Sequence, residues 1–260
     1  MAELAAIFRY PLKSLGRERL EDADLAPGQI IEADRRYAIL HEAGRAHLIA
    51  PAATGPAPLA RWLPKKFFLR GAAAPALQAV SGGMQGDRLA LRHPGHGSVS
   101  LDPERDDSRP LLDWLAGLLP EGHPAPLALV RGPAPLADDA RAVVSILSLD
   151  SLRDLEARAG QAFGMDRWRG NLWIEGLAPW AERELIGQEI SIGAVRMRVQ
   201  DQITRCAATS ASTESGQRDC DMPALLQDLM GHRQFGIYAE ILTPGRIKTG
   251  APLTLSEPKP

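Results

Sequence analysis

From residue 194 to 200, Val195, Met197 and Val199 alternate with Arg196, Arg198 and Gln200, the period-two pattern of a strand with one buried face. Residues 188–192 precede it across Gly193, so the two segments predict a hairpin. The same pattern predicts a first strand over 4–10, ended by Pro11, and short strands at 30–33, 37–40, 67–70, 77–80, 88–92 and 98–101. Gly, Pro and Asp turns separate them, and the Ala/Pro/Gly stretch 50–60 reads as a loop. Further strands are expected at 127–131, 143–147, 171–174, 235–242 and 246–248.

Helical spacing is rarer. Leu111, Leu112, Leu115, Leu118 and Leu119 form one stripe over 108–119. Ser148, Asp150 and Ser151 supply cap chemistry for a helix that Gly160 stops, and a short helix follows Pro223. The Pro120–Pro124 stretch divides the chain into a β module over 1–122 and a second unit over 123–260. Many short strands with few helices predict a β-rich α+β fold built on a barrel, with peripheral helices, rather than a parallel α/β sheet.

At 260 residues the chain can bury a substantial core, and 45% hydrophobic with 24% charged residues is a globular balance. A formal charge of −2 leaves no global field to favour nucleic acid or an anionic membrane. No apolar run is long enough to span a bilayer, and the N-terminus lacks a signal-peptide core, so a cytoplasmic location is expected. Two cysteines without C-x-x-C spacing form neither a disulfide framework nor an iron–sulfur or zinc cluster.

Candidate chemistry collects at strand ends. Lys13 and Ser14 follow the first strand, and Arg35 precedes another. Ser148 and Ser151 open a helix, where backbone N–H groups can hold an anion. Arg167, Arg169 and Asn171 lead into a strand, while Thr204, Arg205 and Cys206 end one. Converged, these termini would make a pocket with a thiolate on one wall and cations on the others. Such a pocket suits a phosphorylated cofactor carrying a soft metal. Spacing alone leaves the ordinary alternatives open: Cys206 as a small core residue, the serines as plain caps, the arginines as solvated charges. His93 and His96 read as a Gly/Pro turn, and Asp138-Asp139 as turn carboxylates.

The ordered motifs resemble one family. Tyr10-Pro11-Leu12-Lys13-Ser14 and Asp34-Arg35-Arg36-Tyr37 are similar to signatures of the β-barrel module that precedes MOSC domains. Leu147-Ser148-Leu149-Asp150-Ser151-Leu152, Arg167-Trp168-Arg169-Gly170-Asn171-Leu172, Thr204-Arg205-Cys206, Phe235-Gly236-Ile237-Tyr238 and Arg246 to Pro252 are similar to successive motifs of the MOSC domain itself. The resemblance implies a MOSC-type barrel behind a smaller N-terminal β module, and a protein that binds the molybdenum cofactor (Mo-molybdopterin), without pyridoxal phosphate.

Carried over by position, Cys206 is the molybdenum ligand and catalytic centre. Lys13, Ser14, Arg35, Ser148, Ser151, Arg169, Asn171, Arg205 and Tyr238 hold the pyranopterin and its phosphate. The family's amidoxime-reducing members imply an oxidoreductase for N-hydroxylated or N-oxide small molecules. Its electrons would come from a separate ferredoxin- or flavoprotein-type donor. The same residues also serve a cofactor carrier or sulfur-transfer protein that works with a separate cofactor or sulfur donor, Arg205 favouring a Cys206 thiolate. A third alternative is a scaffold that has lost the cofactor. Four departures bear on these expectations. The family's proline before Asn171 is Gly170, and the loop after Cys206 reads Thr209-Ser210-Ala211-Ser212-Thr213-Glu214-Ser215-Gly216, without the family's aspartate and proline. An arginine common in the family after the second N-terminal strand pair is absent, that stretch reading Leu48-Ile49-Ala50-Pro51, and Cys220 has no counterpart and reads as structural or exposed.

Overall fold

A computed structural model describes residues 1–50 and 52–255. Its centre is an eight-stranded sheet in the order Leu253–Leu255, Glu189–Ile192, Val195–Thr204, Gln234–Ile241, Val143–Ser148, Leu172–Glu175, Glu3–Arg9, Glu18–Leu20. The first strand also meets the far end of the sheet: Leu4 N donates to Ala251 O and Leu253 N to Ala2 O, both at 2.9 Å, around a bridge between Glu3 and Pro252. That contact rolls the sheet into a barrel and removes two open edges. Leu4, Ile7, Val144, Ile146, Ile190, Val195, Met197, Val199 and Ile237 fill its interior.

Val195, Met197 and Val199 point inward as their alternation predicts, and the hairpin across Gly193 forms. Val143–Ser148 and Leu172–Glu175 run parallel, joined through helix Leu149–Ala159. Ser148 Oγ caps that helix by accepting from Ser151 N at 3.2 Å, and Gly160 ends it at φ 64°.

The N-terminal module holds two three-stranded sheets. Helix Arg109–Ala116 buries Leu111 and Leu115 in the core that these sheets share with Leu12, Leu15 and Ile39. The segments 67–70 and 77–80 are not strands: 3-10 turns Lys65–Phe67 and Pro75–Ala79 take their place, since Pro64 and Pro75 pre-set helical entry. Residues 30–33 turn instead of extending, with Ala33 and Arg35 at positive φ. The 50–60 loop contributes a two-residue strand, Ala57–Pro58.

The sheets do not divide at residue 122. Pro126–Arg131 pairs with Tyr37–His41 and Ala57–Pro58, so it completes the N-terminal module. Conversely, Glu3–Arg9 belongs to the large barrel, and Asp22–Leu25 pairs with Gly245–Lys248. Chain order predicts a boundary only when elements pair with their neighbours, and here the first and last strands pair across the whole sequence.

Packing explains Gly170. A Cβ there would overlap Leu147 Cδ1 and approach its Cγ to 3.1 Å, and Leu147 is fully buried against Trp168, Trp173 and Phe235. The space that a proline ring needs is filled by Leu147. We expect Gly170→Ala to cost about 1–3 kcal/mol by overpacking. Combined with Leu147→Ala, it should cost much less than the sum of the single changes, as thermal unfolding of the double-mutant cycle would register. Strict additivity would exclude this packing account.

Candidate functional site

At the seam of module and barrel lies a pocket of about 180 Å³. The turn after the first strand delivers Lys13 and Ser14, and the turn before Tyr37–His41 delivers Arg35. The turn before Leu172–Glu175 delivers Arg169, and the end of Val195–Thr204 delivers Arg205 and Cys206. Tyr238 enters from Gln234–Ile241. Ser14, Arg35 and Arg169 adopt left-handed backbone, at φ 67°, 49° and 52°. Each such residue costs on the order of 1–3 kcal/mol and persists only where the surroundings enforce it. Three on one pocket wall mark a surface built for a task.

The electrostatics are lopsided. Arg169 donates to Gly16 O at 2.9 Å and to Leu12 O and Leu15 O at 3.4 Å. Arg205 donates to Phe235 O at 2.8 and 2.6 Å and to Trp168 O at 2.9 Å. Neither guanidinium has a carboxylate partner among the described residues. Burial, which strips water from the cations, lowers both to about 10, so both stay charged at neutral pH. Arg35 differs, being ion-paired with Asp34. The Tyr10 ring lies 4.7 Å from Arg35 Cζ and 4.4 Å from Arg169 Cζ, holding two like charges on one aromatic ring.

Several expected ligand-binding residues are already engaged. Lys13 Nζ bonds Leu136 O at 2.9 Å and Asp138 at 2.5 Å. Burial lowers its pKa, and Asp138 opposes that shift. Asn171 lines the pocket, but its amide donates to Phe8 O at 3.2 Å and accepts from Ser145 Oγ at 2.9 Å, tying the first strand to the parallel pair. Tyr238 is half-buried, and burial raises its phenol.

Ser148 and Ser151 are corrections. Both are fully buried and lie outside the pocket lining. Ser148 caps its helix, while Ser151 Oγ donates to Glu182 and accepts from Trp180 N, both at 2.7 Å. The N–H of Ser151 is taken by the Ser148 cap, and neither serine side chain reaches the pocket. Arg167 is also no solvated charge: it is 3% exposed, pairs with Asp219 at 2.7 and 2.6 Å, and donates to Thr209 O at 3.1 Å. It clamps the loop after Cys206 to the turn that carries Arg169.

Cys206 is exposed at the start of the 3-10 turn Ala207–Ser210, and its carbonyl accepts from Thr209 Oγ1 at 2.9 Å. Cys220 is also free, half-buried, with its thiol pushed by burial up to about 11, which suits a packing role. Among the described residues no three His, Cys, Asp or Glu side chains gather as a metal site. A metal at Cys206 would therefore have fewer than three such protein donors, which suits a metal brought in by a chelating cofactor. A chelate carrying a phosphate fits the two guanidiniums that lack an anion. Gln78, Asp138 and Thr209 also line the pocket. Gln78 sits on a 3-10 turn with no motif around it, and only its contacts disclose it.

The family model for the MOSC domain matches residues 131–254, and that for the MOSC N-terminal β-barrel domain matches residues 1–114. The chain belongs to the MOSC family, in its two-part form, and the family is associated with the molybdenum cofactor. No curated protein matches it. Among solved structures, YiiM from Geobacillus stearothermophilus is 22% identical over 44% of this chain and 54% of its own, with a TM-score of 0.36. YuaD from Bacillus subtilis is 12% identical over 97% and 94%, at 0.41. YiiM from Escherichia coli is 18% identical over 45% and 55%, at 0.35. The chain spans about half the length of these YiiM proteins. Among the described residues, no helix is long and apolar enough to cross a membrane.

Glu182 yields a pH prediction. Burial raises its carboxyl, an effect that Asp150 reinforces and Ser151 and Arg183 oppose. The folded protein then keeps a proton that the unfolded chain releases near 4.5, so this site loses stability as pH climbs from there toward the raised value. Glu182→Gln retains an acceptor for Ser151 and should flatten the decline, seen as a smaller drop in Tm between about pH 5 and about pH 8. Parallel curves for the two proteins would show that the carboxyl does not titrate there.

Proposed function

We propose that the pocket binds the molybdenum cofactor, with Cys206 Sγ as the protein ligand to the metal, and that the protein reduces N-hydroxylated or N-oxide small molecules. The observation that carries this is the pair of half-buried guanidiniums, Arg169 and Arg205, that line the pocket without a carboxylate partner beside an exposed thiol. Partial burial of a cation without a counter-charge is costly, and a bound phosphate offsets that cost.

When bound, the cofactor supplies two-electron redox chemistry and a site that accepts an oxygen atom. The chain supplies the remaining functions. Arg169 and Arg205, anchored by backbone carbonyls, present their outward N–H groups to the phosphate. Tyr10 keeps Arg35 and Arg169 apart at fixed distance. Lys13 adds a fourth cation, shared with Asp138. The Arg167–Asp219 clamp holds the loop that carries Cys206, so the thiol meets the metal without reorganisation. Cys206 is exposed, which leaves its open side to substrate. Electrons come from a separate ferredoxin- or flavoprotein-type protein.

The test is purification from a host that makes the cofactor, with Cys206→Ala and Arg205→Met in parallel. Wild type should carry molybdenum and pterin near one per chain and turn over an N-hydroxylated amidine with a chemical reductant. Cys206→Ala should lose molybdenum. Arg205→Met should weaken cofactor retention roughly tenfold or more, the usual effect of removing a charged hydrogen bond. Equal molybdenum in wild type and Cys206→Ala would overturn the ligand assignment. Cysteine-dependent molybdenum without turnover would make the protein a cofactor carrier.

A further inference from the structure

Cations outnumber carboxylates around the pocket: Lys13, Arg35, Arg141, Arg167, Arg169 and Arg205 against Asp34, Asp138 and Asp139. Gln78 is different. It is 3% exposed, belongs to the 3-10 turn Pro75–Ala79 of the N-terminal module, and still lines the pocket. Its Nε2 donates to Ala208 O at 3.0 Å and to Arg167 O at 3.3 Å. Both partners are carbonyls, so the amide has one permissible orientation, with its NH₂ toward the Cys206 loop and its oxygen on the other side.

That oxygen is left over. Among the described residues Oε1 has no hydrogen-bond donor. It lies beside Gly71, another residue of the pocket lining, where a Cβ would stand 3.3 Å from it. Glycine at that position keeps the oxygen uncovered. The carboxylates of the pocket lining are occupied: Asp138 by Lys13 and Lys65, Asp139 by Arg141, and Asp34 by Arg35. Gln78 is buried as a residue, but Oε1 is not among the fully buried unpaired atoms, so the oxygen opens to the pocket. A donor on a bound molecule can pair with it there in place of water.

We propose that Gln78 Oε1 accepts a hydrogen bond from an amidine-type N–H of the molecule bound in the pocket, making Gln78 a recognition residue contributed by the N-terminal module. The proposal rests on the pocket being the cofactor and substrate site. Two sources offer this group: the aminopyrimidine edge of the pterin and the amino group of an N-hydroxylated amidine. A substrate N–H satisfied here is favoured over an isostere without one, because the unpaired oxygen penalises the latter.

The test uses cofactor-loaded wild type, Gln78→Met and Gln78→Glu. Methionine matches the length and removes both faces of the amide. Glutamate keeps acceptor oxygens and loses the NH₂ that anchors the loop. Pterin content is measured on each protein, then calorimetric binding of benzamidoxime, which has an N–H, and of pyridine N-oxide, which has none. If the substrate is the source, Gln78→Met weakens benzamidoxime roughly tenfold while pyridine N-oxide is unchanged, and Gln78→Glu restores the preference. If the pterin is the source, Gln78→Met loses pterin and Gln78→Glu retains it. With pterin unchanged, three results overturn the proposal: both probes weakened alike, neither weakened, or benzamidoxime failing to bind wild type. Gln78→Glu falling as far as Gln78→Met also overturns it, since only loop anchoring would then be at stake. Failure of the cofactor assignment reads out separately, as molybdenum content independent of Cys206.

Discussion

Two guanidiniums held without a counter-charge are the constraint around which this protein is organised. Arg169 and Arg205 are fastened by backbone carbonyls of Gly16, Phe235 and Trp168, and burial pulls both down to about 10. Packed apolar residues in their place would make a more stable protein with no such site. The left-handed backbone at Ser14, Arg35 and Arg169 adds local strain at the same place. Barrel closure by the terminal strands and the large apolar interior offset both costs, so stability built elsewhere sustains a poised cationic site.

The second organising feature is how the two halves hold one loop. The stretch after Cys206 lacks the aspartate and proline of related sequences, yet it is compact. Ser212 N donates to Gln217 O at 2.8 Å, and Ser212 Oγ accepts from Glu214 N at 3.1 Å. Arg167 clamps it from the barrel, while Arg218 reaches out to Ala72 O of the N-terminal module at 2.8 Å and that module's Gln78 reaches in to Ala208 O at 3.0 Å. Anchors from both halves replace a local turn signature. The thiol is thereby exposed on a loop whose backbone has little freedom to move, the arrangement a metal ligand requires.

Much of the fold was legible because its signals are local. Period-two alternation found the hairpin across Gly193, and cap chemistry found the helix Leu149–Ala159. Legibility failed where pairing decides. Glu18–Leu20 and Asp22–Leu25 are short and polar, Ser81–Gln85 contains two glycines, and each exists because a partner strand lies beside it. Pro126–Arg131 reads correctly as a strand and belongs to the other half of the molecule.

The candidate site divides along the same line. Residue identities alone determined that Lys13, Arg35, Arg169, Arg205 and Cys206 sit at element ends, since turn and strand signals flank each one. They could not determine which of these ends meet. Ser148 and Ser151 have the same helix-start chemistry as many anion sites, and the tertiary structure turns that end into the core beside Glu182. Gln78 has no signature at all, and only the docking of the two halves brings its unpaired oxygen to the pocket wall. Local chemistry is written in short stretches of sequence, whereas convergence is set by contacts between residues more than a hundred positions apart, which no short stretch encodes.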